Sequence, residues 1–258
     1  RDKIIFKEKI KKLTINNVDI SKYSNLKIAL SKIENLKKLQ ASKKNNNILY
    51  LKNIIMECKK FGTLPFSILA RHAFIAQDLL NSLKNNKILN NKDIEIFQSS
   101  IYSITSEMLD DAKKLKKKFF LQKYGHLRPG TYDIKSSRYD KLKKFNLEKK
   151  IKIKKPKKFT LKKEKKIKIM KLIKKNNFKL NSADELFDYI RISIVSREYA
   201  KFIFTKSISL ILEIIISHGK QLNLNKETLS NISINNFLNK KVMNSKKKLI
   251  EISKKNKK

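Results

Sequence analysis

The sequence predicts an all-α fold, a multi-helix antiparallel bundle, and three observations support this. Glycine and proline, which sheets with tight turns use heavily, number only four and three in 258 residues. Hydrophobic residues make up 40% of the chain, which is enough for a buried core. Apolar side chains recur at spacings of three and four residues along most of the sequence, which is the period of an amphipathic helix.

The first half of the chain predicts a series of helices with short connections. Residues 1–20 have a mixed pattern that does not assign them. We expect a helix at about 21–42, a second one after the Asn45–Asn47 break, a third to about residue 84 and a long one at about 92–117. Between the second and third, Gly62 suits a helix end, and Pro65 suits the first turn of the next helix.

The positive charge of the chain has two interpretations. A net charge of +41 is typical of a protein that binds nucleic acid or an anionic membrane. However, only six of the 63 basic residues are arginine, and the lysines are spread through nearly every segment. We therefore attribute the charge to compositional bias that places lysine on solvated helix faces. Nucleic acid is not the expected partner.

Several site classes and locations are disfavoured by composition. Cys58 is the sole cysteine, so an intramolecular disulfide and a cysteine-rich metal site are excluded, and no metal site is expected. The longest strongly apolar run, 208–216, is too short to span a bilayer and contains Glu213. No targeting peptide is recognised. We expect a cytoplasmic protein without a membrane partner.

One loop, at about 124–140, collects the rare residue types of this sequence. Gly125, Pro129 and Gly130 take the chain out of helical geometry there. In the structural alternative the loop is a corner, in which Arg128 or Arg138 pairs with Asp133 or Asp140 and His126 bonds to backbone. In the functional alternative the arginines contact an anionic substrate, and His126 acts as donor or general acid–base. The residue types alone leave both open.

The second half begins with a basic, proline-containing connector and continues as helix. We expect domains at 1–140 and 161–258, joined by a linker at 141–160. After a lysine-rich helix at about 160–175, Ser182 and Glu185 form a capping box that opens a long buried helix, about 183–218, ended by Gly219. Inside that helix, Arg191, Arg197 and Glu198 need partners. They form either an internal ion pair or a ligand contact.

No catalytic motif based on residue spacing is present, but one stretch resembles a known family. Residues 120–134 (FLQKYGHLRPGTYDI) and 137–140 (SRYD) resemble the central segment of the phosphoenolpyruvate-synthase-like, PEP-utilising enzymes, which include pyruvate phosphate dikinase and rifampicin phosphotransferase. Members often carry the motif Tyr-Gly-His-Arg-Gly-Pro-Gly-Glu-x-Asp, of which this loop is a variant. Residues 61–76 are similar to a flanking helix, and residues 196–202, followed by Gly219 and residues 229–230, resemble another helix and the segment after it. The resemblance covers about residues 50–240.

The resemblance implies a three-part ATP-dependent phosphotransferase of which this chain is the helical, substrate-side middle. ATP and Mg would belong to an ATP-grasp domain, and the phosphorylated histidine to a swivelling domain. Both would lie outside this chain, in cis or in trans, and this chain itself would bind no cofactor. The chain would be a fragment, a split subunit or a decayed copy. The candidate substrate-site residues are His126, Arg128, Asp133, Arg138, Arg197 and Glu198, with Gly125, Pro129 and Gly130 shaping the loop.

Two alternatives come from other functional classes. A non-enzymatic basic helical protein would bind nucleic acid or anionic surfaces, with an affinity that falls steeply as salt increases. A purely structural helical scaffold would use the loop as a corner. A continuous lysine stripe would favour the first alternative, whereas a pocket lined by the retained arginines would favour a substrate site.

Overall fold

The computed structural model describes residues 2–21, 24–42, 47–142 and 159–257. Its helices are α1 (Asp2–Asn17), α2 (Asn25–Ser42), α3 (Leu51–Cys58), α4 (Leu64–Asn85), α5 (Asn91–Ser99), α6 (Ile104–Lys114), α7 (Lys117–Tyr124), α8 (Lys163–Lys175), α9 (Ala183–Gln221), α10 (Lys226–Ser230), α11 (Ile234–Leu238), α12 (Lys240–Met243) and α13 (Lys246–Asn256).

The described residues contain helices and connections but no strand, so the predicted all-α fold is confirmed. The chain is irregular from residue 125 to 138, and a single 3-10 turn follows at Tyr139–Lys141. The Gly/Pro loop expected at about 124–140 is therefore present. Residues 143–158, which make up most of the expected linker, lie outside the described residues, and the division into domains at that point stays a prediction. Within the described ranges, no helix combines the length and the apolar character needed to cross a membrane.

The single helix expected at about 92–117 is wrong, because the chain forms two helices there, α5 and α6. Serine side chains account for the break. Ser99 Oγ donates to the Ile96 carbonyl at 2.9 Å, and Ser100 Oγ donates to the Phe97 carbonyl at 2.6 Å. These side-chain bonds satisfy carbonyls near the end of α5, so the helical backbone hydrogen bonds need not continue into the next residues. The apolar period persists across the break, which is why periodicity alone predicted one helix.

The helix end expected at Gly62 is also wrong. Residues Lys59–Thr63 form a π-helical turn that joins α3 to α4, and no described glycine has a positive φ. Gly62 is used for close packing instead: a Cβ placed on it would lie 2.9 Å from Cβ of Phe204. Thr63 makes no side-chain cap, and Pro65 is accommodated in the first turn of α4.

The longest helix, α9, begins where the capping box predicts and ends slightly later than expected. Ser182 Oγ accepts from the Glu185 amide at 3.1 Å, while the Glu185 carboxylate accepts from the Asn181 amide at 2.8 Å, one residue further out than in the usual box. Gly219 lies inside the helix rather than at its end. Asn223, with φ 54°, takes the left-handed conformation that follows the helix.

Contacts divide the chain into two compact units. Unit 1 comprises Arg1–Asn35, Thr63–Asp110 and Lys150–Lys201. Its core contains an aromatic cluster in which Phe97 lies 4.9 Å from Phe187 and 5.0 Å from Phe159, measured between ring centroids. It also contains a buried polar pair, in which His72 Nδ1 lies 2.9 Å from the Tyr189 hydroxyl.

Unit 2 comprises Leu36–Gly62, Asp111–Lys149 and Phe202–Lys258. Its core is aliphatic and is formed where α3 and the second part of α9 pack with α10, α11 and α13. Gly219 belongs to this packing, since a Cβ on it would lie 2.6 Å from Leu229 Cδ1. His218 is buried beside it, with Nε2 2.8 Å from the Met243 carbonyl oxygen. The Gly/Pro loop lies entirely in this unit.

Candidate functional site

The candidate site is a cavity of about 130 Å³ within unit 2. Side chains from four segments line it. Two of them, His126 and Arg138, come from the Gly/Pro loop. The others are Leu36, Leu39 and Gln40 of α2, Ile54 and Glu57 of α3, and Lys206, Ser207 and Leu210 of α9. The rare residues of the loop therefore meet ordinary helical residues that the sequence did not single out.

His126 is the most informative lining residue. Only 6% of the residue is exposed. Its ring packs edge-on against the Phe202 ring, with centroids 4.9 Å apart. Its Nε2 atom is buried and has no hydrogen-bond partner among the described residues. A buried polar atom without a partner is costly, and His126 is also one of the residues that line the cavity, which makes the residue a candidate ligand contact.

The protonation state of His126 follows from its surroundings. Burial lowers its pKa to about 4, and the positive charges of Lys206 and Arg138 act in the same direction. The Phe202 and Lys123 carbonyls favour the charged ring but do not compensate for burial. The imidazole is therefore neutral near pH 7, with one nitrogen as a donor and the other as an acceptor.

Arg138 is positioned by the way the loop closes. The Tyr139 amide donates to the Leu127 carbonyl at 2.8 Å, and the Asp140 amide donates to the Gly125 carbonyl at 3.2 Å. Arg138 then donates to both carboxylate oxygens of Asp140, with Nε 2.9 Å from Oδ1. These bonds use the N–H of Nε and one N–H of Nη2, so both N–H groups of Nη1 and the second of Nη2 are not used by Asp140. This pair was among the pairings that the structural interpretation named.

Gly125 is needed where this loop closes. A Cβ on Gly125 would lie 2.9 Å from Cβ of Asp140, so the loop could not close in the same way with a larger residue. Its backbone is in the ordinary right-handed region, with φ −61°. The close approach, rather than a positive φ, explains the glycine.

The rest of the cavity wall adds a second cation and a neutral polar strip. Lys206 is exposed and carries the positive charge that acts on His126. Gln40 donates its amide to the Ile203 carbonyl at 2.9 Å and to the Ser207 hydroxyl at 2.7 Å, which ties α2 to α9 along one side. Glu57 contributes a carboxylate. The wall thus combines Arg138, Lys206, one acid and a neutral histidine.

Arg128 does not line the cavity and serves the structure instead. Its side chain is 2% exposed, and Nη2 lies 3.0 Å from Glu213 Oε1. The same nitrogen lies 3.1 Å from Ser209 Oγ, and Nη1 donates to the Ser136 carbonyl at 3.0 Å. Lys141 contacts the other oxygen of Glu213. The guanidinium fork thereby fastens the loop to α9, as expected for an arginine that lysine could not replace.

Asp133 is exposed and shapes the loop. Its carboxylate accepts from the Lys135 amide at 2.8 Å, and its own amide donates to the Gly130 carbonyl at 3.1 Å. Gly130 in turn donates its amide to Ser136 Oγ at 3.0 Å. Pro129 is exposed beside it. These residues form turns and are not among those that line the cavity.

Arg197 and Glu198 belong to unit 1, where Arg197 Nη1 lies 3.6 Å from Glu198 Oε1. Both side chains are partly exposed. Arg191 pairs separately with Asp188 at 2.8 Å. Of the six candidate residues, the structure therefore brings His126 and Arg138 together. Lys206 was missed because nothing in the sequence distinguishes it from the other lysines.

The arrangement is suited to a small anion. Arg138 and Lys206 supply positive charge, which Asp140 and Glu57 partly offset, and the neutral His126 has a nitrogen without a partner among the described residues. Groups of histidine, cysteine, aspartate or glutamate that could hold a metal ion are not found among the described residues. Comparison with protein-family models, curated proteins and solved structures gave no match.

Proposed function

We propose that this chain is the substrate-side helical module of a phosphoenolpyruvate-synthase-like phosphotransferase. The cavity beside the loop would receive the anionic acceptor, while ATP, Mg and the phosphorylated histidine would be provided by domains outside the chain. The observation that carries the proposal is the meeting of His126, from the family-like motif, and Arg138, from the family-like stretch 137–140, in one cavity wall. The motif and the cavity were identified independently, one from sequence and one from geometry.

The cavity residues would have distinct roles. Lys206 and Nη1 of Arg138 would bind a carboxylate or phosphate group of the acceptor by charge-assisted hydrogen bonds. A turn of the His126 ring would bring Nε2, which is buried in this structure, to the same ligand. A bound anion would favour the protonated ring, so binding should raise the pKa of His126 from its low value. Arg128 would act only by fastening the loop.

The test of the site is a titration monitored at the histidine side chains by NMR. The chain has three histidines, so His72 and His218 serve as internal references for His126. Inorganic phosphate and pyruvate are added separately at constant ionic strength. We expect a saturable change in the chemical shift of the His126 ring and an upward shift of the pKa of His126. The chemical shifts of the His72 and His218 rings should not change when the ligand is added.

A pair of variants separates a site from general charge attraction. Lys206→Gln removes the exposed cation of the cavity, and Lys220→Gln is the matched change on an exposed residue of the same helix outside the cavity. The first should weaken binding about two- to five-fold, as for a partly exposed ion pair, and the second should leave it unchanged. Equal losses in both variants, or no saturable change at His126, would contradict the site.

The role as a module is tested separately by sequencing the gene on both sides of this chain. An ATP-grasp segment on the N-terminal side and a swivelling domain with its phosphorylated histidine on the C-terminal side support the proposal. Unrelated coding sequences on both sides, with no partner subunit that carries these domains, would refute the phosphotransferase role. The anion site could still stand in that case.

A further inference from the structure

A second cavity lies within unit 1 and has a different character. Its volume is about 300 Å³, which is at the lower end of the range for small-molecule pockets. It is formed by the last turns of α4 and α8, the residues that follow α8 and the first turn of α9. Nothing in the proposed phosphotransferase function uses this cavity.

The floor of this cavity is apolar. Seven of its eleven lining residues are leucine, isoleucine or phenylalanine, and Leu83, Ile169, Ile173 and Leu186 among them are buried. Phe178 is only partly buried. A ligand that covers this surface would gain stability in proportion to the apolar area removed from water.

Two polar residues of the lining, Asn86 and Asn176, each use one side-chain donor at a helix end. Asn86 Nδ2 donates to the Ser82 carbonyl at 2.8 Å, and Asn176 Nδ2 donates to the Leu172 carbonyl at 2.9 Å. Each asparagine caps its helix, and each is followed by a residue in the left-handed conformation. Each amide keeps a second N–H and its carbonyl oxygen, so it is the seven apolar lining residues that favour an apolar ligand body.

The charge at the rim has one sign. Lys175 is the charged residue among those that line the cavity, and the lining contains no acidic side chain within the part of the chain described. Lys171 and Lys174 lie nearby on the same helix and are exposed. A cation at the mouth of an apolar cavity complements a ligand with an apolar body and an anionic head.

We propose that this cavity binds a single-chain anionic amphiphile, of the fatty-acid type, with the chain in the cavity and the carboxylate at Lys175. The proposal is independent of the anion site in unit 2. It commits to a free amphiphile because the apolar lining is confined to a pocket of about 300 Å³ and does not form an extended apolar face.

The experiment must separate this pocket from general attraction of anionic amphiphiles to a chain of net charge +41. Decanoate is titrated into the protein below its micellar concentration, and binding is measured by calorimetry. Ser82→Trp places a large side chain at an exposed lining position, and Ser67→Trp is the same change at an exposed position of the same helix outside the cavity. We expect Ser82→Trp to abolish saturable binding and Ser67→Trp to retain it.

The head group is tested with a second matched pair. Lys175→Gln should weaken decanoate binding about two- to five-fold, and Lys171→Gln, outside the lining, should not. In the wild-type protein, decyltrimethylammonium should bind more weakly than decanoate. Contacts between decanoate and the methyl groups of Leu83 and Ile173, seen as nuclear Overhauser effects, locate the ligand even if a variant does not fold.

The outcomes decide the proposal in either direction. One saturable site with these methyl contacts, lost in Ser82→Trp and weakened in Lys175→Gln, supports it. Binding that is unsaturable, or equal in Ser82→Trp and Ser67→Trp, would show attraction by net charge alone and would overturn it. Equal binding of decyltrimethylammonium would overturn the role of Lys175.

Discussion

The ion pair between Arg128 and Glu213 should be the largest single polar contribution to the stability of unit 2. Glu213→Gln preserves the shape of the side chain and removes its charge. It would leave the Arg128 guanidinium, which is 2% exposed, without an anionic partner, and it would also remove the contact of Lys141. Guanidinium remains charged at any pH at which the protein folds, so the uncompensated charge cannot be avoided by deprotonation.

The magnitude follows from burial. Breaking a buried pair by removing one partner costs about 3–5 kcal/mol. Glu213 is 17% exposed and Lys141 is 59% exposed, so solvent screens part of the interaction, and the glutamine oxygen can still accept from Arg128. We therefore expect the free energy of unfolding to fall by about 2–3 kcal/mol. Urea denaturation followed by circular dichroism measures this difference.

The matched control is Glu227→Gln in the same unit. Glu227 is 55% exposed and lies 3.4 Å from Lys135, which is itself half exposed. Surface pairs of this kind contribute less than about 1 kcal/mol. If Glu213→Gln lowers the free energy of unfolding no more than Glu227→Gln does, the inference that the buried network fastens the loop to α9 is refuted.

The pH dependence gives an independent check. Burial raises the pKa of Glu213, but the hydrogen bond and charge of Lys141 and the charge of Arg128 outweigh burial, so the pKa is lowered from its ordinary value of 4.5. Because the folded protein then binds the proton more weakly than the unfolded chain, the stabilisation is complete above about pH 4.5 and is lost as the pH falls through the folded pKa. The difference in the free energy of unfolding between the wild type and Glu213→Gln should therefore become smaller as the pH falls over that range. A difference that stays constant with pH would contradict the electrostatic explanation.

Three further predictions concern single residues. Burial lowers the pKa of His126 to about 4, so an NMR titration should show an imidazole that stays neutral down to pH 6. Because the unfolded chain takes up this proton at a higher pH than the folded protein, the stability that His126 contributes is lost between about pH 6.5 and 4. Tyr189→Phe leaves Nδ1 of His72 buried without its partner and should cost about 1–3 kcal/mol in urea denaturation, whereas the same change at Tyr132, which is 66% exposed, should cost little. Gly62→Ala places a methyl group against a rigid neighbour and should lower the free energy of unfolding by about 1–3 kcal/mol, and an unchanged denaturation midpoint would show that the π-helical turn adjusts freely.

The fold class could be predicted from the sequence because helix signals are local. The capping box at Ser182 and the apolar period that follows it lie within a few turns of each other, and they placed the start of α9 correctly. The errors arose where tertiary or competing local contacts decide. Gly62 carries the signal of a helix end, but its role is the approach of Phe204, which is distant in sequence. The serines at 99 and 100 break a helix whose apolar period continues.

The site could be predicted only in part. His126 was a candidate because it lies in a loop that collects rare residues, and it does line a cavity. Lys206 was not, since the sequence presents it as one lysine among many and its neighbourhood is created by the packing of α9. The cavity in unit 1 had no signal in the sequence at all, because its lining consists of ordinary core residues and helix caps.

The arginines show what the rarity of a residue type does and does not reveal. Arg128 and Arg138 were retained in a chain that otherwise uses lysine, and both make contacts that need a planar group with several donors. Both contacts are internal to the protein, and the pairing of Arg138 with Asp140 is one that the structural alternative named, whereas Arg128 pairs with Glu213 rather than with Asp133 or Asp140. Buried nitrogens without a partner among the described residues occur in His72, Arg128, His218 and His126, and His126 differs from the other three because it also lines one of the two cavities described. Since internal packing normally satisfies such atoms, the site hypothesis rests on His126 and its cavity more than on the arginines that first drew attention to the loop.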